Sequence, residues 1–235
     1  MRTLLIALVA LLATWPFPAG AATRNFGVNG FDRVRVDGPY KVSLTTGVAP
    51  FATASGTAAA LDGVAVDVQG RTLIVHASSR SWGGYPGRDS GPVEIRLGTH
   101  ELSAAWLNGA GMLKIDRVEG LSFDVSVQGS GAIGIADADV DQLKVGVAGT
   151  GSAALAGRAG KMTALVRGIS TLDAAQLVAK DATIGAEGPA TVAAHVTNAV
   201  TVDGNGVGTV TLTGRPACTL RLKGSATVSG CKSTQ

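Results

Sequence analysis

The chain is poor in the residues from which catalytic and metal sites are usually built. Of its 235 residues three are histidine, two are cysteine, 4% are aromatic and 16% are charged. His76, His100 and His195 stand far apart, with no H-x-x-x-H or H-E-x-x-H spacing to begin a metal site. No serine occupies a G-x-S-x-G elbow, and no histidine or carboxylate spacing outlines a triad or a glycosidase pair. A net charge of +3, with basic residues alternating with acidic ones, leaves no electrostatic footprint for nucleic acid. No hydrophobic run is long enough to cross a bilayer as a helix.

Two motifs look chemical and fail on context. Gly129, Gly131 and Gly134 satisfy G-x-G-x-x-G, yet the residues that follow continue a strand where a dinucleotide site needs a helix N-terminus, so no cofactor is expected. Asp137, Asp139 and Asp141 form D-x-D-x-D, but a calcium loop needs glycine at its sixth position and glutamate at its twelfth. Here those are Gln142 and Ala148, so the triplet reads as a solvated connector.

What the chain has in abundance is glycine, 33 residues of it, set in a regular frame. Counting back two, four and six places from Gly129 gives Val127, Val125 and Phe123, and counting forward four and six gives Ile133 and Ile135. Strand side chains alternate between faces, so this one parity can be buried while Asp124, Ser126 and Gln128 face water. The same ruler fits Gly109, Gly149, Gly168, Gly188, Gly206 and Gly224, with steps of 20, 20, 19, 20, 18 and 18 residues between successive anchors. Two short strands and a glycine corner per unit predict an all-β fold, a right-handed parallel β-helix (β-solenoid) with coils of about 18–20 residues. A meander or sandwich of hairpins is the alternative that the strand content alone would also allow.

Taken in order, residues 1–21 read as a cleaved secretory signal peptide. Arg2 gives the positive start, Leu4 to Ala13 the apolar stretch, and Ala19, Gly20 and Ala21 the small-residue site. No cysteine follows, so a lipoprotein anchor is not indicated, and the product is expected in the periplasm or outside the cell. Residues 22–235 then form one solenoid domain, its frame starting near Phe31 with Gly38 and Gly70 as early corners, the latter placing Ile74 inward. Two insertions interrupt it, Val48 to Asp62 and Ser78 to Pro92. The second concentrates Trp82, Tyr85, Arg88 and Asp89 and is a candidate binding loop, or else an ordinary connection folded back on the wall.

Trp106 is the other candidate. Leu107 is buried by the ruler, which turns Trp106 outward as a flat platform for a sugar or a protein, unless a bulge rotates it inward. Cys218 and Cys231 both fall in the last coil and, in an oxidising compartment, predict a disulfide. By the ruler Lys232 stands opposite Cys218, so a kink at Gly230 is needed to bring Cys231 there.

The stretches FDRVRVDGPYKVSLTTG at 31–47, the GSG-type corners at 129–131 and 149–151, and TLTGRPAC at 211–218 resemble the head GIN domain family of auto-transporter adhesins. The resemblance implies a β-helical, adhesin-like protein and brings no catalytic residues with it. The chain departs from the pattern with GIS at 168–170 and GPA at 188–190, where a tighter or irregular turn is expected.

The function expected from these features is an exported, non-enzymatic binding or adhesion module contacting envelope polysaccharide or another envelope protein. A β-helical lyase or hydrolase is a second reading, since Asp124, Lys144, Arg167 and Asp173 occupy outward positions. A third is a structural protein that forms homo-oligomers through its solenoid edges.

Overall fold

The structure is a computed structural model that describes residues 22–78 and 91–232. The expected signal peptide and the loop residues Trp82, Tyr85, Arg88 and Asp89 lie outside the described residues.

From Met112 onward each coil is one long bent strand. These are β9 (Met112–Gly129), β10 (Ala132–Gly149), β11 (Ser152–Gly168), β12 (Thr171–Glu187) and β13 (Thr191–Gly206). They stack in parallel, and the last coil is split into β14 (Thr209–Thr213), β15 (Ala217–Gly224) and β16 (Thr227–Ser229). The β-solenoid expected from the glycine ruler is thus what forms. Val125, Val145, Ala164, Ile184 and Val202 fall in one register column and are all buried. A buried valine or leucine side chain is worth about 1.5–3 kcal/mol, so the core is a stack of such columns.

Each coil has three sides where the ruler foresaw two. In β10 the buried set runs Ile133 and Ile135, then Ala138 and Val140, then Leu143, Val145 and Val147, and each change of parity is a bend. The uneven anchor spacing is absorbed at the bends that flank the short third side, that of Ala138 and Val140 in β10. The register slips between Ile135 and Ala138 in one coil pair, and between Ala174 and Val178 and again between Ala179 and Asp181 in another, while pairing within each of the other two sides is unbroken. The aspartates of the D-x-D-x-D triplet therefore sit within β10 and not in a loose connector.

The corner glycines stack directly on one another. A Cβ on Gly149, whose φ is +102°, would lie 2.7 Å from the carbonyl oxygen of Gly129, and the Thr150 N–H donates to that same oxygen at 2.9 Å. Only glycine meets both demands, a left-handed φ and a backbone approach too close for a side chain. At the GIS corner Ser170, fully buried, brings its hydroxyl to 2.8 Å from the Arg167 carbonyl and 3.1 Å from that of Gly149. The departure from GSG is repaired by a side-chain bond.

The N-terminal end differs from expectation in two ways. The segment from Val48 to Asp62 contains β4 (Phe51–Gly56) and a short helix, α1 (Ala58–Asp62), capped by the Thr57 hydroxyl and seating Ala60 and Leu61 in the core. β4 pairs antiparallel with β1 (Ala22–Phe26) and β7 (Glu94–Gly98). Gly70 is not a solenoid corner. It opens the two-residue turn of an antiparallel hairpin between β5 (Val64–Gln69) and β6 (Thr72–Ala77). A hairpin turn consumes one residue fewer than the Gly-x-Gly corner, so Leu73 and Val75 point to the core and Ile74 faces the other way.

Coil order also departs from chain order at this end. β2 (Arg33–Asp37) lies between β6 and β8 (Ala104–Gly109), and β3 (Lys41–Thr45) between β7 and β9. The first coil in sequence is thus slotted between two later ones, with Gly38 stacked against Gly109. Asp32, almost wholly buried, fixes this interleaving: its Oδ2 accepts from Arg71 at 2.9 Å, and its backbone carbonyl accepts from the Ser103 N–H at 2.7 Å.

Candidate functional site

Parallel pairing of β2 with β6 on one side and β8 on the other puts Ile74, Arg35 and Trp106 in one row across the sheet, and Ser126 of β9 continues it. All are outward positions. Trp106 is half-buried and projects from the face as the parity of Leu107 requires, without a bulge. The next row carries Asp37, Asn108 and Gln128.

Together Arg35, Gln69, Thr72, Ile74, Trp106 and Asn108 bound a shallow groove of about 470 Å³ that Gln128 completes. Its polar groups are held in place. Asp37 accepts from Arg35 Nε at 2.8 Å and from Asn108 Nδ2 at 2.6 Å, so one carboxylate orients both the guanidinium and the amide beside the indole. An aromatic face flanked by fixed amide and guanidinium donors suits a ligand with apolar C–H faces and a rim of hydroxyls.

Nearby, His76 on β6 places its two ring nitrogens 2.8 Å from Asp67 Oδ2 and 2.9 Å from the Ala77 carbonyl. The hydrogen bond to Asp67 in particular favours the imidazolium and raises the His76 pKa above its ordinary value.

A second recess, about 680 Å³, has a mixed lining that includes Thr46, His100, Glu101, Asp116, Arg117 and Glu119. Its charges are already engaged. Asp116 accepts from the backbone N–H groups of Thr46 and Arg117, Arg117 pairs with Glu119 and Asp137, and Glu101 pairs with Arg71. Asp139 of the D-x-D-x-D triplet accepts from Arg158 Nε at 2.7 Å, and this bond lowers the aspartate's pKa. The triplet thus contributes to ion pairs between coils along the third side.

The four outward charges that raised the enzymatic reading do not converge. Asp124 and Lys144 are register partners on one face, Arg167 pairs with Glu187, and Asp173 sits on a different side, where its Oδ1 accepts from the Ala175 N–H. No group of three or more histidine, cysteine or acidic side chains able to hold a metal is found among the described residues. Among them, too, no helix is long and apolar enough to cross a membrane.

On the side carrying Asp173, the small residues Gly134, Ala136, Ala154 and Ala156 leave an almost wholly apolar trough of about 290 Å³, with Lys114 at one end and Asp173 and Gln176 at the other. Periodicity could not announce it, because outward alanines and glycines carry no hydrophobic signal of their own.

At the far end Cys218 and Cys231 are bonded, their Cα atoms 5.8 Å apart. The kink required at Gly230 is present, with φ +90° and a backbone so close to Leu212 that a Cβ would collide with its carbonyl.

The family model described as "Putative auto-transporter adhesin, head GIN domain" matches residues 30–216. Among solved structures, a putative adhesin from Bacteroides fragilis is similar at a TM-score of 0.82 and 20% identity, covering 90% of this chain and 97% of that one. A putative lipid binding protein from Parabacteroides distasonis is similar at a TM-score of 0.69 and 18% identity, covering 88% of this chain and 95% of that one. At such identities the likeness extends to the fold. A comparison with curated proteins gives no match.

Proposed function

We propose that this chain, which belongs to the putative auto-transporter adhesin, head GIN domain family, is an exported, non-enzymatic binding module of the cell envelope that holds polysaccharide in the Trp106 groove. It is a single solenoid domain following a cleaved signal peptide, delivered to the periplasm or the cell exterior. The disulfide between Cys218 and Cys231 agrees with an oxidising compartment.

The observation that carries the reading is the row Ile74, Arg35 and Trp106 with the Asp37-oriented Asn108 beside it. Burying an indole face against the C–H face of a sugar gains apolar contact, while the fixed amides and guanidinium meet hydroxyls without first losing their own rotamer freedom. The charges around the molecule are engaged in ion pairs or spread over different sides, which supports binding without chemistry. A glycan array probed with the mature protein tests this. The expected result is retention on a defined set of envelope polysaccharides, and a blank array with folded protein contradicts it.

The apolar trough favours a second reading. Its apolar lining suits an acyl chain, with Lys114 at one end to meet an anionic head. Displacement of a fluorescent fatty acid that is lost when Ala154 is replaced by a bulkier residue distinguishes this site from the Trp106 groove.

A further inference from the structure

The two ends of the column are unlike. At the N-terminal end the edge strands β1 and β5 have, among the described residues, one strand partner each, but α1 packs against both and covers the core with Ala60 and Leu61. At the C-terminal end, among the described residues, β15 pairs only with β13 and β16 only with β14, so their outer edges carry backbone groups with no strand partner. The core is open there as well. Leu220 and Leu222 continue columns in which Val202, Ile184 and Val166 are fully buried, yet they are 43% and 41% exposed.

Charge is divided along the same axis. From residue 204 to the end the sequence holds Arg215, Arg221, Lys223 and Lys232 and no aspartate or glutamate, whereas the remainder after residue 21 carries every acidic residue of the chain. Arg221 and Lys223 stand on the outward side of β15, between and beyond the exposed leucines, and Arg221 has only a loose ion pair with Asp203 at 3.7 Å.

We propose that the outer edge of β15 is a docking site for an extended, acidic segment of a partner protein, added as one more strand. Such a strand pairs the free backbone groups, lays its apolar side chains over Leu220 and Leu222, and sets its acidic side chains beside Arg221 and Lys223. A second copy of this chain fits less well. Tail-to-tail pairing brings one cationic edge to another, and head-to-tail stacking has to seat the edge against β1 or β5, where α1 packs. A lipid surface leaves the edge's backbone groups unpaired.

The test is fluorescence anisotropy with labelled peptides and the mature protein. TVEVEVT is the probe, TVKVKVT the charge-reversed control, and TVEPEVT a control that cannot complete the strand. The expected result is saturable binding of TVEVEVT, with both controls weaker by at least about tenfold. The double variant R221E/K223E is expected to lose TVEVEVT by a similar factor and to gain TVKVKVT, a reversal that mere destabilisation does not produce. Absence of saturable TVEVEVT binding overturns the proposal, as does equal binding of all three peptides. So does light scattering that shows the chain associated with itself through this end, or binding of phosphatidylglycerol vesicles through Arg221 and Lys223 with no response to peptide.

Discussion

Arg35 and Trp106 are register partners on adjacent parallel strands, although the hairpin, the helix and the candidate binding loop all lie between them in sequence. The groove exists because the first coil in the chain is slotted between later ones. Any change that displaces β2 dismantles the groove and leaves the regular coils after Met112 intact. Asp32→Ala, which removes one of the two carboxylates that pair with Arg71 at the point of interleaving, is expected to lower ligand affinity and loosen β2 and β6 in hydrogen exchange, with β11 to β13 unchanged.

The glycine corners predict opposite outcomes at two glycines. Gly149→Ala forces a left-handed φ on alanine and sets its Cβ 2.7 Å from the Gly129 oxygen, and is expected to cost at least about 2 kcal/mol. Gly134→Ala meets nothing within 4 Å at an ordinary φ and is expected to be neutral or to stabilise by a few tenths of a kcal/mol. Urea unfolding of the two variants checks the contrast.

Much of the fold is legible in the sequence because the buried columns follow a strict period of two, and that alternation alone turns Phe123, Val125 and Val127, or Val192 and Ala194, toward the core where they are found. The short third side escapes, since two or three residues between bends are too few to show a period. The interleaving of β2 and β3 escapes because neighbouring coils share one pattern, and nothing local in Arg33–Asp37 says which coil it will lie beside. Trp106 is legible as outward from the parity of Leu107. Its neighbours Arg35 and Ile74 are not, since the hairpin at Gly70 moves Ile74 to the opposite face.

The disulfide ties down the last coil of the column. Replacing Cys218 and Cys231 together by serine is expected to cost about 3 kcal/mol in the chain-entropy account of a short loop. Exchange should quicken first in β15 and β16, while groove binding persists. Intact mass of the exported protein checks that the bond forms in the cell.

His76 predicts a pH dependence confined to the hairpin. Its folded pKa is raised by the bond to Asp67, so the stabilisation is fully present below the ordinary value of 6.5 and is lost as pH rises through the raised value. Exchange in β5 and β6, corrected for intrinsic rates, should therefore quicken on passing from mildly acidic to mildly alkaline solution. His76→Gln should remove the change.

The central claim is that Trp106 and its oriented polar neighbours bind envelope polysaccharide, and calorimetric titration of a polysaccharide selected on the array into unmodified protein and W106A tests it most directly. The account predicts heat and a defined affinity for the unmodified protein, weakened by at least about tenfold in W106A without loss of thermal stability. Equal affinity in the two proteins would contradict it.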